Sequence, residues 1–227
     1  MCVLKGPNTS QGENQMNQKI YPHQYHALHQ QINDLINAYQ SVNDLQTIQV
    51  YQALIFEKID ELFFDRPTEI EQLKSELLDK SLTKARAQRI LEPIKELVIP
   101  FEKPSAKQVE KAFRKVKKLK APDFDALDLR DYSYIGFDDA GSQKKYLLYY
   151  DRQNKLQGIV GQMSPNTIKN VCSICNHIGN VALFLSTTKA TAEGTYTKKG
   201  NYICTDSHQC NCQLHELENM HQFMEKT

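Results

Sequence analysis

The sequence predicts an α+β chain, with an N-terminal four-helix bundle followed by an α/β domain organised around a cysteine-bound metal finger. Three observations carry this. Apolar residues recur at helical spacing from Tyr21 to Val98, short aromatic and β-branched runs take over after Pro122, and five of the six cysteines fall between Cys172 and Cys212. The corresponding division is a disordered tail over residues 1–18, a helical bundle over 19–99 and an α/β domain over 100–227.

The tail, MCVLKGPNTSQGENQMNQ, is polar and lacks apolar periodicity, the composition of a segment that cannot bury enough surface to order itself. Met16 is an alternative start, and Cys2 reads as a free thiol. From Tyr21, residues Tyr25, Leu28, Ile32, Leu35, Ile36 and Tyr39 recur at steps of three and four, with Pro22 suited to a first helical turn. A second helix after VND has Leu45, Ile48, Leu54, Ile55, Ile59 and Leu62 as its expected buried stripe and closes at FFDRPT. Ile70, Leu73, Leu77 and Leu78 mark a third. Ser81 or Thr83 caps a fourth carrying Leu82, Ile90, Leu91, Ile94, Leu97 and Val98, which Pro93 should kink or end. Four such helices on short loops pack as a bundle. His23, His26 and His29 drift around the first helix without a carboxylate partner nearby and are expected to be solvated.

Pro100 and Pro104 then break the helical pattern. Lys103, Lys107, Lys111, Arg114, Lys115, Lys117, Lys118 and Lys120 interleave with Val109, Ala112, Phe113, Val116 and Leu119, as one helix with a basic outer face. Such a face is either a solvated surface or a docking face for phosphate or an acidic protein. YSYIGF, KYLLYYD and KLQGIVGQM, separated by turn-rich DDAGSQKK and RQNK, read as an antiparallel meander. VALFLSTT and GNYIC are two further strands bracketing KATAEGTYTKK. A final helix is expected from about Asn211, burying Leu214, Leu217, Met220, Phe223 and Met224.

The cysteines supply the chemistry. Cys172 and Cys175 form a Cys-x-x-Cys knuckle, with Cys204 and Cys210 as a distant second pair. Zinc takes four tetrahedral ligands and favours thiolate sulfur, so this spacing suits one closed structural site. Disulfides are the competing explanation, but the chain lacks a secretory signal, and clustered cysteines then favour metal. A redox Cys-x-x-Cys would not require the second pair. Cys210, His208 and Cys212 are all within reach as the fourth ligand. Cys210 is preferred, because a five-residue loop and a helix from Asn211 return its sulfur to the knuckle. Knuckle, hairpin and a helix carrying the last ligand make a treble-clef arrangement.

Composition bounds the remaining classes. Hydrophobic content of 40% and charged content of 24% are those of a soluble globular protein. The net charge of +1 creates no overall field toward nucleic acid, so any basic surface must be local. The longest apolar runs, ELVIPF and VALFL, fall far short of the roughly 20 residues a membrane span needs. A cytoplasmic protein without membrane association is expected. Four protein ligands leave zinc no open position for water, and no His-Glu base pairing, nucleophile elbow or phosphate-binding glycine loop is present. The chain is therefore expected to be no enzyme, with no small-molecule substrate.

Six strings in order, IYPHQY (20–25), VND (42–44), PFEKPS (100–105), RKVKKLK (114–120), KYLLYYD (145–151) and TKKGNYIC (197–204), resemble the elongation factor G-binding proteins of the FusB type, the fusidic acid resistance family. The resemblance spans roughly Ile20 to Lys226. It implies a helical N-terminal domain, a treble-clef domain with a four-cysteine zinc site in which Cys204 and Cys210 match the family's C-x5-C, and binding of elongation factor G through the zinc domain. It also implies release of that factor from the ribosome, with which the protein would have only indirect or transient contact, and thereby protection from fusidic acid. The family's contact residues fall on Lys199, Tyr202 and Phe223. Val171 stands where those resistance proteins carry an aromatic. The alternative is a zinc-finger protein that binds ribosomal RNA or another nucleic acid through the basic helix and the finger.

Overall fold

The computed structural model describes residues 19–63, 68–114, 116, 119–139, 141–187 and 198–227. The expected tail, with Cys2 and Met16, lies outside the described residues, as do Lys115, Lys117, Lys118 and most of the KATAEGTYTKK loop.

Helices α1 (Pro22–Ser41), α2 (Leu45–Leu62), α3 (Thr68–Leu77) and α4 (Lys84–Lys95) surround one apolar core. Local chemistry sets their starts. The Asp44 carboxylate accepts from the backbone N–H of Gln46 and Thr47, and Thr83 accepts from that of Arg86, satisfying donors that a first helical turn leaves free. The core is filled by Leu28, Ile32, Leu35 and Ile36 of α1, Ile55 and Ile59 of α2, Ile70, Leu73 and Leu77 of α3, and Leu91 and Ile94 of α4.

Several expectations are corrected. Leu45 and Leu54 are exposed, because the buried face of α2 is the narrower Ile48, Ile55, Ile59, Leu62 stripe. Leu78 is exposed just beyond the end of α3. Helix α4, by contrast, ends early at Pro93 as expected, stopping at Lys95 short of Leu97 and Val98. His26 is buried rather than solvated, its Nε2 3.1 Å from the carbonyl oxygen of Asp131. Periodicity had registered only the face of α1 toward its own bundle; a second face meets the C-terminal half.

That half is a five-stranded antiparallel meander in sequence order: β1 (Ile135–Asp139), β2 (Lys144–Tyr150), β3 (Leu156–Val171), β4 (Ile178–Thr187) and β5 (Lys198–Cys204). What the sequence divided into a meander and two further strands is thus one sheet, because β3 runs on through SPNTIKNV to the knuckle, absorbing a register shift between Met163 and Thr167. Among the described residues, the basic segment is helical over α5 (Ala106–Ala112). Phe113 leaves the helical conformation and inserts over β3, where Gly158 makes room; a Cβ there would sit 2.7 Å from the ring. The expected final helix is two, α6 (Ser207–Cys212) and α7 (Leu217–Lys226), because Asp206 caps a helix start four residues earlier than periodicity placed it.

Alternation along β2 divides what the sheet buries. Leu147 and Tyr149 face a core shared with Phe184, the zinc-finger cysteines and Met220, Phe223 and Met224 of α7. Tyr146 and Leu148 face the opposite core, with Phe101, Val109, Phe113 and Ile135. Within the helical half Ile20 bridges to Val98, and the two halves of the chain join where Lys95 meets Asp128 and Asp131 at 3.0 and 2.8 Å. Arg130 pairs with Glu96 at 2.6 Å beside them. No described helix is long and apolar enough to cross a membrane.

Candidate metal centre and the face beside it

The knuckle is a turn between β3 and β4. The N–H of Cys172 donates to the carbonyl of His177 and that of Asn176 to the carbonyl of Cys172, both at 2.9 Å. Asn176 takes φ 57°, a left-handed conformation that asparagine tolerates better than most residues. Strand β5 delivers Cys204, and α6, anchored by its Asp206 cap, delivers Cys210.

These elements bring Cys172, Cys175, Cys204 and Cys210 together, all buried, with sulfurs within 4.8 Å of one another. The Cys172–Cys210 and Cys175–Cys204 separations are both 3.8 Å. A tetrahedron with Zn–S bonds of about 2.3 Å has edges of about 3.8 Å, so these two separations match those of one four-sulfur zinc site. Backbone N–H groups of Ile174 and Cys204 each donate to Cys172 Sγ at 3.3 Å, the polarity a thiolate needs. Hydrogen bonds with Cys175, Cys204 and Cys210 drive the Cys172 thiol far down toward thiolate, whereas its bonds to Cys172 and Cys175 hold Cys204 up as a thiol. A dication replaces the protons shared in this way. Cys212 is partly exposed, its sulfur 4.0 Å from His208 Nδ1, and both stand outside the four-sulfur set.

Residues not singled out in the sequence complete the centre. Tyr134 is almost wholly buried in the same core as the four cysteines; burial first, then the thiols, push its phenol well above the usual range. Asn211, fully buried, accepts from the backbone N–H of Ser133 and Tyr134 and donates to the carbonyls of Tyr134 and Ser207, tying α6 to the start of β1. The Lys145 ammonium donates to Asp138 Oδ2 at 2.9 Å, and to Thr205 O and Ser207 Oγ at 3.1 Å, fixing the segment between the last two ligands. Strand parity was the available signal for Lys145, which falls in KYLLYYD on the face of Leu147 and Tyr149. Nothing local marks Asn211, whose bonds to Ser133 and Tyr134 span 78 and 77 residues.

The three expected partner-contact residues do not converge. Lys199 and Tyr202 are exposed on β5, an edge strand, but three residues apart they lie on opposite faces. Lys199 Nζ donates to the carbonyl of Lys226 at the end of α7, while Tyr202 stands opposite Leu183. Phe223 is buried against Phe184, ring centroids 6.1 Å apart. By register, Tyr202 shares its face with Leu183, Leu185 and Ile168, and Gly200 opens the space over the two leucines. Val171 and Ile178 are exposed where the same hairpin meets the knuckle.

Comparison with known proteins adds the following. Residues 19–102 match the family described as elongation factor G-binding protein, N-terminal, and residues 107–226 match the FBP C-terminal treble-clef zinc-finger. Among solved structures, that of the fusidic acid resistance protein FusC is similar at 37% identity, covering 93% of this chain and 99% of that one, with a TM-score of 0.84. No curated protein matches.

Proposed function

This chain belongs to the family of elongation factor G-binding proteins that end in a treble-clef zinc finger, and from that premise we propose that it grips elongation factor G through the finger domain, promotes the factor's release from the ribosome and so protects translation from fusidic acid. The observation on the chain itself that carries this reading is the apolar face beside the metal centre. Ile168, Leu185 and Tyr202 are exposed on one face of the hairpin and its edge strand, and Val171 and Ile178 are exposed at its knuckle end. A clustered apolar surface rimmed by polar residues marks an interaction site, and a tyrosine within it is a common anchor.

The zinc ion, with four protein ligands, would hold this face in shape and take no chemical step. The action is binding alone, without an enzymatic reaction. Release follows if the chain binds the free conformation of the factor more tightly than the ribosome-bound one, since only differential affinity shifts such an equilibrium. The setting is the cytoplasm, where translation takes place.

Calorimetric titration of the zinc-loaded chain into purified elongation factor G, without ribosomes or RNA, tests the reading. The expected result is saturable one-to-one binding, weakened by about 2 kcal/mol or more by Tyr202→Ala, the scale of an interface anchor. Lys199→Ala should weaken it less. Absence of binding by a zinc-loaded, folded chain overturns the proposal. Phe223→Ala is a poor probe, because it empties a core position.

A further inference from the structure

Charge on this chain is segregated. Residues 103–120 carry eight lysines and arginines against Glu110, a net +7, so the rest of the chain is at −6 although the whole is at +1. Of the eight, Lys107, Lys111 and Arg114 are exposed and, among the described residues, have no carboxylate within ion-pair distance; Lys103 pairs with Asp125. Lys107 and Lys111 lie one turn apart on the outer side of α5, and Arg114 continues the line in the turn that follows. The opposite side is pinned by Val109 and by Phe113 in the Gly158 notch, so the cations are presented from a fixed support.

Two further facts indicate what this face meets. It covers the side of the sheet opposite α7 and the zinc centre, so a partner on the finger leaves it free. In addition, none of the exposed large apolar side chains among the described residues lies between residues 79 and 167. A protein interface draws its affinity from apolar and aromatic anchors, which this face lacks. A phosphate backbone needs only cations.

We propose that Lys107, Lys111 and Arg114 form a sequence-independent contact for RNA phosphates. The finger and α5 would then engage two different partners from opposite faces of one sheet, and the RNA is ribosomal in so far as the proposed function holds. Two weak contacts joined by a rigid domain raise the effective concentration of each partner for the other.

The test is fluorescence anisotropy of a labelled mixed-sequence RNA hairpin titrated with the full, zinc-loaded chain between about 50 and 200 mM salt. Binding should fall linearly on a log–log plot against salt. The Lys107→Gln, Lys111→Gln, Arg114→Gln triple variant should reduce the slope by about 2 to 3, and Lys107→Arg with Lys111→Arg should preserve it. Elongation factor G binding by the triple variant should be unchanged. The proposal is overturned if the wild-type chain does not bind the hairpin at the lowest salt, or if the folded triple variant keeps the wild-type slope. Loss of elongation factor G binding in that variant also overturns it, by assigning the basic face to an acidic protein. Hairpin binding by a chain that fails to bind elongation factor G would sink the finger reading and leave this one standing.

Discussion

The helical half and the sheet half of this molecule solve the same problem with different means. In the helices, eighteen buried residues form one continuous apolar cluster. In the sheet, the buried residues are divided between two faces, and on the finger side four of fifteen are the clustered cysteines. A divided core gives each layer less apolar burial to offset chain entropy, and the difference must come from elsewhere. Metal coordination supplies it on one face, and Phe113 locked over Gly158 secures the other. The lesson is that the half bearing the metal centre is held by a few specific bonds, whereas the helical half is held by area.

The sharpest way to break this comparison is to remove zinc. Structural zinc sites bind with apparent free energies of about 10–16 kcal/mol, so a strong chelator, or Cys172→Ser, should unfold the sheet half and leave the helices folded. Calorimetry should show loss of one transition, with helical circular dichroism largely kept; a single unchanged transition would mean that the sheet stands without metal. The reciprocal variant acts on area. Ile59→Ala, at a fully buried position in the bundle, should cost about 2–5 kcal/mol in denaturant unfolding and leave zinc content unaltered.

The histidines on α1, on α7 and in the turn before α7 give a smaller, pH-dependent effect. His23 is pushed down to about 4, first by burial and then by His26, His221 and Lys58, and His26, His215 and His221 are also held below the usual value by burial. Since the unfolded chain protonates these rings near pH 6.5, it binds more protons than the folded chain between 6.5 and 4. Stability is therefore complete above pH 6.5 and is lost as pH falls toward 4, by about 2–3 kcal/mol for His23 alone. Unfolding at a series of pH values, with His23→Gln flattening the slope, checks this. The smallest effect is at the junction. Lys95→Met removes the partly exposed bridges to Asp128 and Asp131 and should cost about 1 kcal/mol, seen as wider separation of the two melting transitions.

Cysteine spacing and apolar periodicity in the sequence carried the fold class, the four helices of the first half and the clustered cysteines. Both are local signals. Cys-x-x-Cys is a turn geometry written in four residues, and a helix repeats its buried face every three or four. The contacts between elements were not legible in this way. That α2 hides only one of its apolar stripes, that Phe113 ends α5 by leaving the helix for a notch at Gly158, and that His26 is buried against Asp131 are set by which surfaces meet. The finger's dependence on Tyr134, Asn211 and Lys145 belongs with them, since each also bonds or packs against residues some 60 to 80 positions away. So does the separation of Lys199 from Tyr202 across β5 and the burial of Phe223, because the residues around a motif take their faces from strand register and from the helix packed over them. Sequence alone determined the ligands and the elements that deliver them; tertiary structure decided which side chains remained outside to meet a partner, because exposure is what is left after distant segments have packed.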